Sequence, residues 1–118
     1  MTEESFRPLT ERERGLMAKL TERDFAGVSE IRKQLESCEA RIIDAEGSLE
    51  LKLGNLQKAK VRFRVPVELK SKDADGAEIH VLLHVVDGLS KEIEIYKDTP
   101  SPILEWPGSW DILVFGET

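Results

Sequence analysis

The length of 118 residues is that of a single domain, and it is long enough for one hydrophobic core without disulfides or bound metal. Apolar residues make up 40% of the chain and charged residues 34%, and the net charge of −6 argues against nucleic acid as a partner, because phosphate binding needs a basic surface. No apolar run approaches the roughly 20 residues of a membrane span, the N-terminus is too polar for a secretory signal, and the single cysteine favours a cytoplasmic location.

Two amphipathic helices are predicted in the first third of the chain. The first begins at a capping box formed by Thr10 and Glu13, and apolar residues follow it at helical spacing. Gly15 weakens this helix by about 1 kcal/mol relative to alanine, unless it permits close packing against another backbone. The second helix extends from about residue 27 to about residue 37, with Asp24 as its candidate N-cap.

The rest of the chain has the pattern of antiparallel strands separated by turns. Alternating apolar and polar residues predict strands over 40–43 and 48–53, and a longer alternation predicts a strand over 61–69. Pro66 cannot donate a ladder hydrogen bond, so this strand lies at an edge there or contains a bulge. A short last strand is expected over 112–115.

The clearest element is a β-hairpin over residues 78–96. A two-residue loop would place Leu83 opposite Glu92 on a face that must be buried, so a three-residue loop over 86–88 is favoured. This loop predicts a type I turn with Gly88 in the left-handed conformation as a bulge residue. The resulting register pairs Val81 with Ile93 and Ile79 with Ile95.

The two histidines lie four residues apart on the first strand of this hairpin. His80 and His84 would face the same side of the sheet, about 13 Å apart at roughly 3.3 Å per residue. One metal ion cannot bind both side chains, because metal–nitrogen bonds are about 2 Å long. We therefore predict surface histidines, with His80 paired to Glu94, and no metal ligands.

Other possible reactive groups also have simpler interpretations. Asp73, Asp75 and Gly76 have the spacing of the start of a calcium loop, but the twelfth loop position, which should be glutamate, is His84. Cys38 follows a helix C-terminus, where the helix dipole disfavours a thiolate. The sequence contains neither a nucleophile-elbow serine nor a glycine-rich phosphate loop. We predict no catalytic residue and no cofactor, and favour a protein that is not an enzyme.

The segment after the hairpin contains three prolines and two tryptophans. Trp106 and Trp110 either close one end of the core or bind a partner, since tryptophan is enriched in both settings. The core alternative is favoured because neighbouring aliphatic residues also need burial. Together with Tyr96, the two tryptophans are the candidate contacts for a partner or ligand.

Several motifs resemble those of a family of small bacterial domains of unknown function. The N-terminal third contains Arg7-Pro-Leu-Thr-x-x-Glu13, Asp24-Phe-x-Gly27 and Ile31-Arg-x-Gln-Leu35, and the hairpin contains Asp75-Gly-x-x-Ile79-x-Val-Leu-Leu-x-Val85-x-Asp87-Gly88. The resemblance covers most of the chain and implies a bacterial cytosolic protein. It carries over no activity and no catalytic residue. Phe25, Gly27 and Arg32 would be signature positions, and packing, cap geometry and surface pairing account for each.

These observations predict a single α+β domain over residues 1–118. Two N-terminal helices, within about 10–37, would pack on one face of an antiparallel sheet of about five strands, within about 40–116. Phe63 and the other apolar strand residues would face the helices, and the polar face would be open or would bind a partner.

Two functions follow from this architecture. The first is a non-catalytic protein-interaction domain, such as an immunity-like protein or an adaptor. The alternative is a small-molecule-binding module or minor enzyme with a pocket near the tryptophan loop, lined by the two tryptophans, Tyr96 and the basic segment 58–64.

Overall fold

The computed structural model describes residues 2–54 and 57–115, which form two helices and an antiparallel sheet. The α+β class is confirmed, but the sheet has seven strands instead of about five, in the order β1-β2-β3-β6-β5-β4-β7. Within these residues, neither helix is long and apolar enough to cross a membrane. The elements are β1 (Arg7–Pro8), α1 (Glu11–Leu20), α2 (Val28–Glu36), β2 (Glu39–Ile42), β3 (Leu49–Lys52), β4 (Val67–Lys72), β5 (Glu78–Val86), β6 (Leu89–Lys97) and β7 (Asp111–Val114).

The capping box at the start of α1 is confirmed. Glu13 donates its backbone N–H to Thr10 Oγ1 at 3.1 Å, and the Glu13 carboxylate accepts from the Thr10 N–H at 2.9 Å. A Cβ on Gly15 would have no neighbour within 4 Å, so this glycine does not permit a close packing contact. α2 has Gly27 as its N-cap, with φ +89°, and the prediction of Asp24 as the cap is wrong. Asp24 instead accepts from Arg32 at 3.1 Å.

The β5–β6 hairpin has a two-residue loop, so the predicted three-residue loop is wrong. Asp87 and Gly88 both have positive φ, 53° and 77°, as in a type I′ turn, and Val86 pairs with Leu89. A bulge at Lys91 then inserts one unpaired residue into β6. Because of this residue, apolar positions meet on one face after all. Leu83 pairs with Ile93 and Val81 with Ile95, whereas Ile79 pairs with the buried Lys97.

The alternating segment 61–69 forms a strand only from Val67 onward. The residues before it cross the end of the hairpin, where Ala59 N–H donates to Gly88 O at 2.8 Å and Val85 N–H donates to Arg64 O at 2.7 Å. Phe63 lies on this crossing segment with 54% of its surface exposed, so its predicted place in the core is wrong. Pro66 immediately precedes the interior strand β4, where its missing N–H removes no bond of the ladder.

The crossing segment approaches two glycines so closely that a side chain would collide with it. A Cβ on Gly88 would lie 2.7 Å from Lys58 Cβ and 2.9 Å from Ala59 O, and one on Gly27 would lie 3.0 Å from Val61 Cγ1. Both glycines also have positive φ, which other residues adopt at a cost. The Gly27 and Gly88 motif positions are therefore explained by backbone geometry.

Gln34 connects α2, the hairpin loop and the crossing segment. Its side chain is fully buried; Nε2 donates to Gly88 O at 2.9 Å and to Gln57 O at 3.0 Å. Its Oε1 accepts from the N–H and from the hydroxyl of Ser90, both at 2.9 Å. A buried amide with all of its partners present fixes three separate parts of the chain relative to one another.

The core lies between the helices and one face of the sheet. α1 and α2 contribute their apolar stripes, and the strands contribute alternate residues. The opposite sheet face is not covered by either helix and is called the open face below. The largest fully buried apolar side chains are Leu20, Ile31, Leu49, Leu69, Ile79, Leu83 and Ile93.

Candidate functional site

The register of the central strands arranges the side chains of the open face in rows. Leu113, Glu68, Leu82 and Glu94 follow one another across β7, β4, β5 and β6. In the next row, Lys70 and Tyr96 flank His80. The open face is thus partly apolar at its β7 side and mostly charged toward β6.

An apolar patch lies at the β7 side of the open face. We define the apolar patch as Phe63, Val65, Leu82 and Phe115, which line a groove of about 600 Å³ together with Glu68 and Val114. Phe63 is 54% exposed and Phe115 is 42% exposed. Two neighbouring aromatic rings exposed to this degree are unusual on a surface that has no binding role. Sequence analysis missed this patch because it assigned Phe63 to the core.

His80 is held between two carboxylates. Its Nδ1 lies 2.7 Å from Glu68 Oε2, and its Nε2 lies 2.8 Å from Asp98 Oδ1. The ring stacks on Tyr96 with 4.5 Å between centroids, and 10% of the His80 side chain is exposed. The predicted pair with Glu94 is therefore wrong, because the hairpin register shifts His80 opposite Tyr96.

The surroundings of His80 also shift the pKa of Tyr96. Burial and the nearby carboxylates of Glu68, Asp98 and Glu94 raise the pKa of its phenol, because they disfavour the phenolate. The ring remains 37% exposed, so a ligand or solvent can reach it.

A second carboxylate pair borders His80. Glu78 and Asp98 lie opposite each other at the end of the hairpin that is far from its loop. There Asp98 N–H donates to Glu78 O at 2.9 Å. One potential ligand atom from each of Glu78, His80 and Asp98 lies within 4.8 Å of the other two. Lys70 offers only partial compensation, with its Nζ 3.6 Å from Glu78.

His84 belongs to a different set of contacts. Arg64 donates from Nε to His84 Nδ1 at 3.1 Å, and His84 Nε2 lies 2.8 Å from Glu94 Oε1. Glu92 is the direct cross-strand neighbour of His84. The two histidines therefore share a face but have separate partners.

The tryptophans lie on the helix side of the molecule. Trp106 and Trp110 are partly buried against the core and meet edge to face at 5.4 Å between ring centroids. The Arg12 guanidinium lies 3.6 Å above the Trp106 ring, and burial there lowers the Arg12 pKa. Tyr96 stands on the open face, so the structure does not bring the three predicted contact residues together.

Two grooves adjoin these residues. Tyr96 lines one of about 360 Å³ beside Glu46 and Pro102. Trp106 lines another of about 250 Å³ beside Asp73 and Ser109. The basic segment 58–64 was predicted to line the same pocket as the tryptophans and Tyr96. Phe63 of this segment lines neither groove and belongs to the apolar patch.

A buried ion pair anchors the proline- and tryptophan-containing loop between β6 and β7. Lys97 Nζ lies 2.8 Å from Asp73 and 2.7 Å from Asp75, and the Lys97 and Asp73 side chains are 1% and 0% exposed. Asp73 also accepts from the backbone N–H groups of Leu104 and Glu105 at 2.7 and 2.9 Å. The two aspartates that resembled a calcium loop thus bind a lysine ammonium.

The charged groups of this pair have shifted pKa values. Burial raises the pKa of Asp73, but the hydrogen bonds from Lys97 and from backbone amides outweigh it and hold the pKa well below its usual range. The hydrogen bonds to Asp73 and Asp75 raise the pKa of Lys97. Sequence analysis missed the pair. Lys97 follows Ile93 and Ile95 at two-residue spacing on β6, and this spacing could have predicted that the lysine lies on the buried face.

The N-terminal motif is also structural. Arg7 donates from both terminal nitrogens to the Glu13 carboxylate, with 3.0 Å between Nη2 and Oε2. Burial raises the Glu13 pKa, but Arg7 and the capping contacts of Thr10 lower it by more.

Burial raises the pKa of the Cys38 thiol to about 11, which leaves it a poor nucleophile.

Comparison with known proteins identifies the family but no close relative. The search of curated proteins and that of solved structures find no match. The model of a family described as a domain of unknown function, DUF6984, matches residues 6–107, which include the N-terminal motifs and the hairpin. The chain therefore belongs to this family of domains of unknown function.

Proposed function

We propose that this domain is a non-catalytic protein-interaction module and that its open face binds the partner. The observation that carries the proposal is the apolar patch beside a charged sheet surface. Immunity-like proteins and adaptors are the kinds of module that this description fits, and a cytoplasmic location is part of the proposal.

The exposure of the patch supports an interface. Phe63 and Phe115 expose about half of their surfaces at one groove, and Leu113, the cross-strand neighbour of Glu68, is 38% exposed. A partner that covers these rings removes apolar area from water and gains roughly 25 cal/mol per Å² of it. Aromatic anchors surrounded by polar groups are the usual centre of a protein interface.

The carboxylates near the patch support a basic partner. Glu68 lines the patch itself, and Glu94 follows it in the same row. Glu92 lies opposite Glu50 on the adjacent strand, and the whole chain has a net charge of −6. A surface with Lys or Arg residues around an apolar anchor would complement both features. We therefore propose a basic protein as the occupant.

The experiment compares matched surface variants in cross-linking from a lysate of the source organism. The double variant Phe63→Ser, Phe115→Ser removes the two exposed rings of the patch. Leu104→Ser is the control, because Leu104 is 63% exposed on the loop between β6 and β7 and lies outside the patch. Circular dichroism and thermal unfolding establish that all three proteins are folded.

The expected result is a basic partner that cross-links to the wild type and to Leu104→Ser but not to the double variant. Its affinity should fall between 50 and 500 mM salt, because charge attraction contributes to binding. Undiminished cross-linking by the folded double variant, or absence of a patch-dependent partner, would refute the proposal. A dimer in sedimentation that the double variant abolishes would instead identify a second copy as the occupant.

A further inference from the structure

We propose that Glu78, His80 and Asp98 form a binding site for a divalent transition-metal ion of the Zn²⁺ class. Glu68 acts as a positioning residue, because it holds the far side of the His80 ring. The three ligands lie outside the apolar patch, and Glu68, which lines the patch, is the residue that the two proposals share.

The first argument is the pairing of acceptors around His80. In the tautomer whose Nδ1–H donates a hydrogen bond to Glu68 Oε2, the Nε2 of a neutral imidazole has a lone pair. That lone pair faces Asp98 Oδ1 at 2.8 Å, and a carboxylate oxygen is also an acceptor. Two acceptors at this distance repel each other unless something positive joins them. It is either a second proton on His80, which then donates to Asp98, or a metal ion bound by both atoms.

The second argument is the arrangement of like charges. Glu78 and Asp98 face each other across β5 and β6, and like charges in such positions destabilise a sheet. A divalent cation bound to both carboxylates would convert this repulsion into attraction. A second proton on His80 would, together with Lys70, supply two positive charges for the three carboxylates of Glu68, Glu78 and Asp98.

The third argument is the fit of His80 to known metal-ligand geometry. Histidines that bind metal through one nitrogen usually donate the other N–H to a carboxylate, which fixes the tautomer and the orientation of the ring. Glu68 does this for His80, and its side chain is 16% exposed. The ring is also held by stacking on Tyr96.

His84 lacks this arrangement although it also has two carboxylate neighbours. Arg64 donates to Nδ1, so the proton of a neutral His84 is on Nε2, where it is donated to Glu94. A metal ion at Nε2 would move that proton to Nδ1, where it would face the Arg64 N–H. His84 is therefore the matched control for His80.

The ligand set defines the class of ion. Imidazole nitrogen favours Zn²⁺ and related transition metals over Mg²⁺ and Ca²⁺, which prefer oxygen ligands only. The ligand atoms lie within 4.8 Å of one another, so small side-chain rotations bring them to bonds of about 2 Å with one ion. Three protein ligands leave a fourth tetrahedral position for water or another ligand.

The test is titration of the purified full chain with Zn²⁺ by calorimetry. In parallel, the imidazole ¹⁵N signals of both histidines are followed by NMR at constant pH. We expect binding of one ion per chain and a change in the Nε2 signal of His80, with His84 unaffected. His80→Ala and Asp98→Asn should abolish this binding, whereas His84→Ala should retain it.

Glu68→Gln separates a positioning role from a purely structural one. The variant should fold, retain one site and lose about 10–100-fold in Zn²⁺ affinity, as outer-shell changes do. Absence of saturable Zn²⁺ binding to the wild type, an apo His80 protonated on both nitrogens whose signals Zn²⁺ does not change, or equal losses in His80→Ala and His84→Ala would each overturn the proposal. Equal affinity for Mg²⁺ or Ca²⁺ would refute the assignment to transition metals.

Discussion

A single buried amide fixes the end of the sheet where the hairpin loop lies. Gln34 makes four hydrogen bonds, which involve Gln57, Gly88 and Ser90. Its position three residues after Ile31 places it on the apolar stripe of α2, where a polar residue needs partners. The motif that contains Gln34 is thus explained by structure and carries no sign of catalysis.

We expect Gln34→Leu to destabilise the protein. A leucine of similar size leaves the N–H and the hydroxyl of buried Ser90 without this partner, and each buried unsatisfied group costs about 1–3 kcal/mol. The Gly88 carbonyl keeps its hydrogen bond from Ala59 N–H. Chemical denaturation measures the free energy of unfolding. Gln57→Leu is the control, because the exposed Gln57 contributes only its carbonyl to this network. Equal stabilities of the two variants would contradict the role assigned to Gln34.

At the scale of elements, Gly15 makes α1 less stable than it would be with alanine at this position. Gly15 lies in the middle of the helix, is exposed, and has open space where a Cβ would lie. It therefore has the conformational cost of glycine in a helix without any packing benefit. The helix is maintained by its capping box and its buried apolar stripe.

Gly15→Ala should raise the free energy of unfolding by about 1 kcal/mol, since alanine is the better helix former. The comparison is Gly88→Ala, which should lower it, because the new Cβ would lie 2.7 Å from Lys58 Cβ and φ is +77°. Thermal and denaturant unfolding of both variants provide the measurement. A stability loss in Gly15→Ala would show that the helix tolerates no side chain there.

The hairpin shows what an amino-acid pattern can and cannot predict. Alternation correctly assigned the buried face of β5 and of β6 after the bulge, because side-chain parity survives a shift by two residues. Before the bulge the assignment was wrong, since Ser90 and not Leu89 lies opposite Val85. The loop and the partners were wrong, because pairing by number assumed an uninterrupted ladder. The bulge at Lys91 adds one residue without any local signal in the sequence.

Other errors had a similar origin. The segment 61–69 alternates like a strand, but its first half crosses the hairpin end, where Val61 approaches Gly27 and Arg64 O accepts from Val85 N–H. β1, with two residues, is too short to leave a periodic signal. The His80 contacts could not be predicted either, because Glu68 and Asp98 reach His80 only in the observed register.

At the scale of the whole molecule, the two sides of the sheet have different roles. The helices and the tryptophan loop cover one side, and the loop is attached to the sheet through the Lys97–Asp73 pair. The other side carries the apolar patch and the carboxylate-flanked histidines. The predicted polar open face is thus present, with an apolar region that the sequence did not reveal.

The buried Lys97–Asp73 pair contributes less to the stability of the fold as the pH falls. The folded-state pKa of Asp73 is depressed, so its contribution is fully present above the unfolded-state pKa, about 3.9, and is lost as pH falls toward the folded-state value. We expect the melting temperature of the wild type to exceed that of Asp73→Asn by a constant margin at neutral pH. This margin should narrow below about pH 4.

Thermal unfolding of both proteins from pH 7 to pH 2 gives this difference. Glu4→Gln is a control for acid titration in general, because the exposed Glu4 has no side-chain ion pair among the contacts of the described residues. A margin that stays constant down to pH 2 would contradict the role assigned to Asp73.

The bulge at Lys91 also determines how this family can change in length. A substitution of Lys91 alters one exposed side chain, whereas its deletion would remove the extra residue that follows the two-residue loop. Ser90 and Glu92 would then be consecutive and would keep their partners Val85 and His84, so Ile93 and Ile95 would stay on the core face. Loss of Lys91 alone should therefore be tolerated, whereas a one-residue insertion between Glu92 and Lys97 would exchange the faces of all strand residues that follow it.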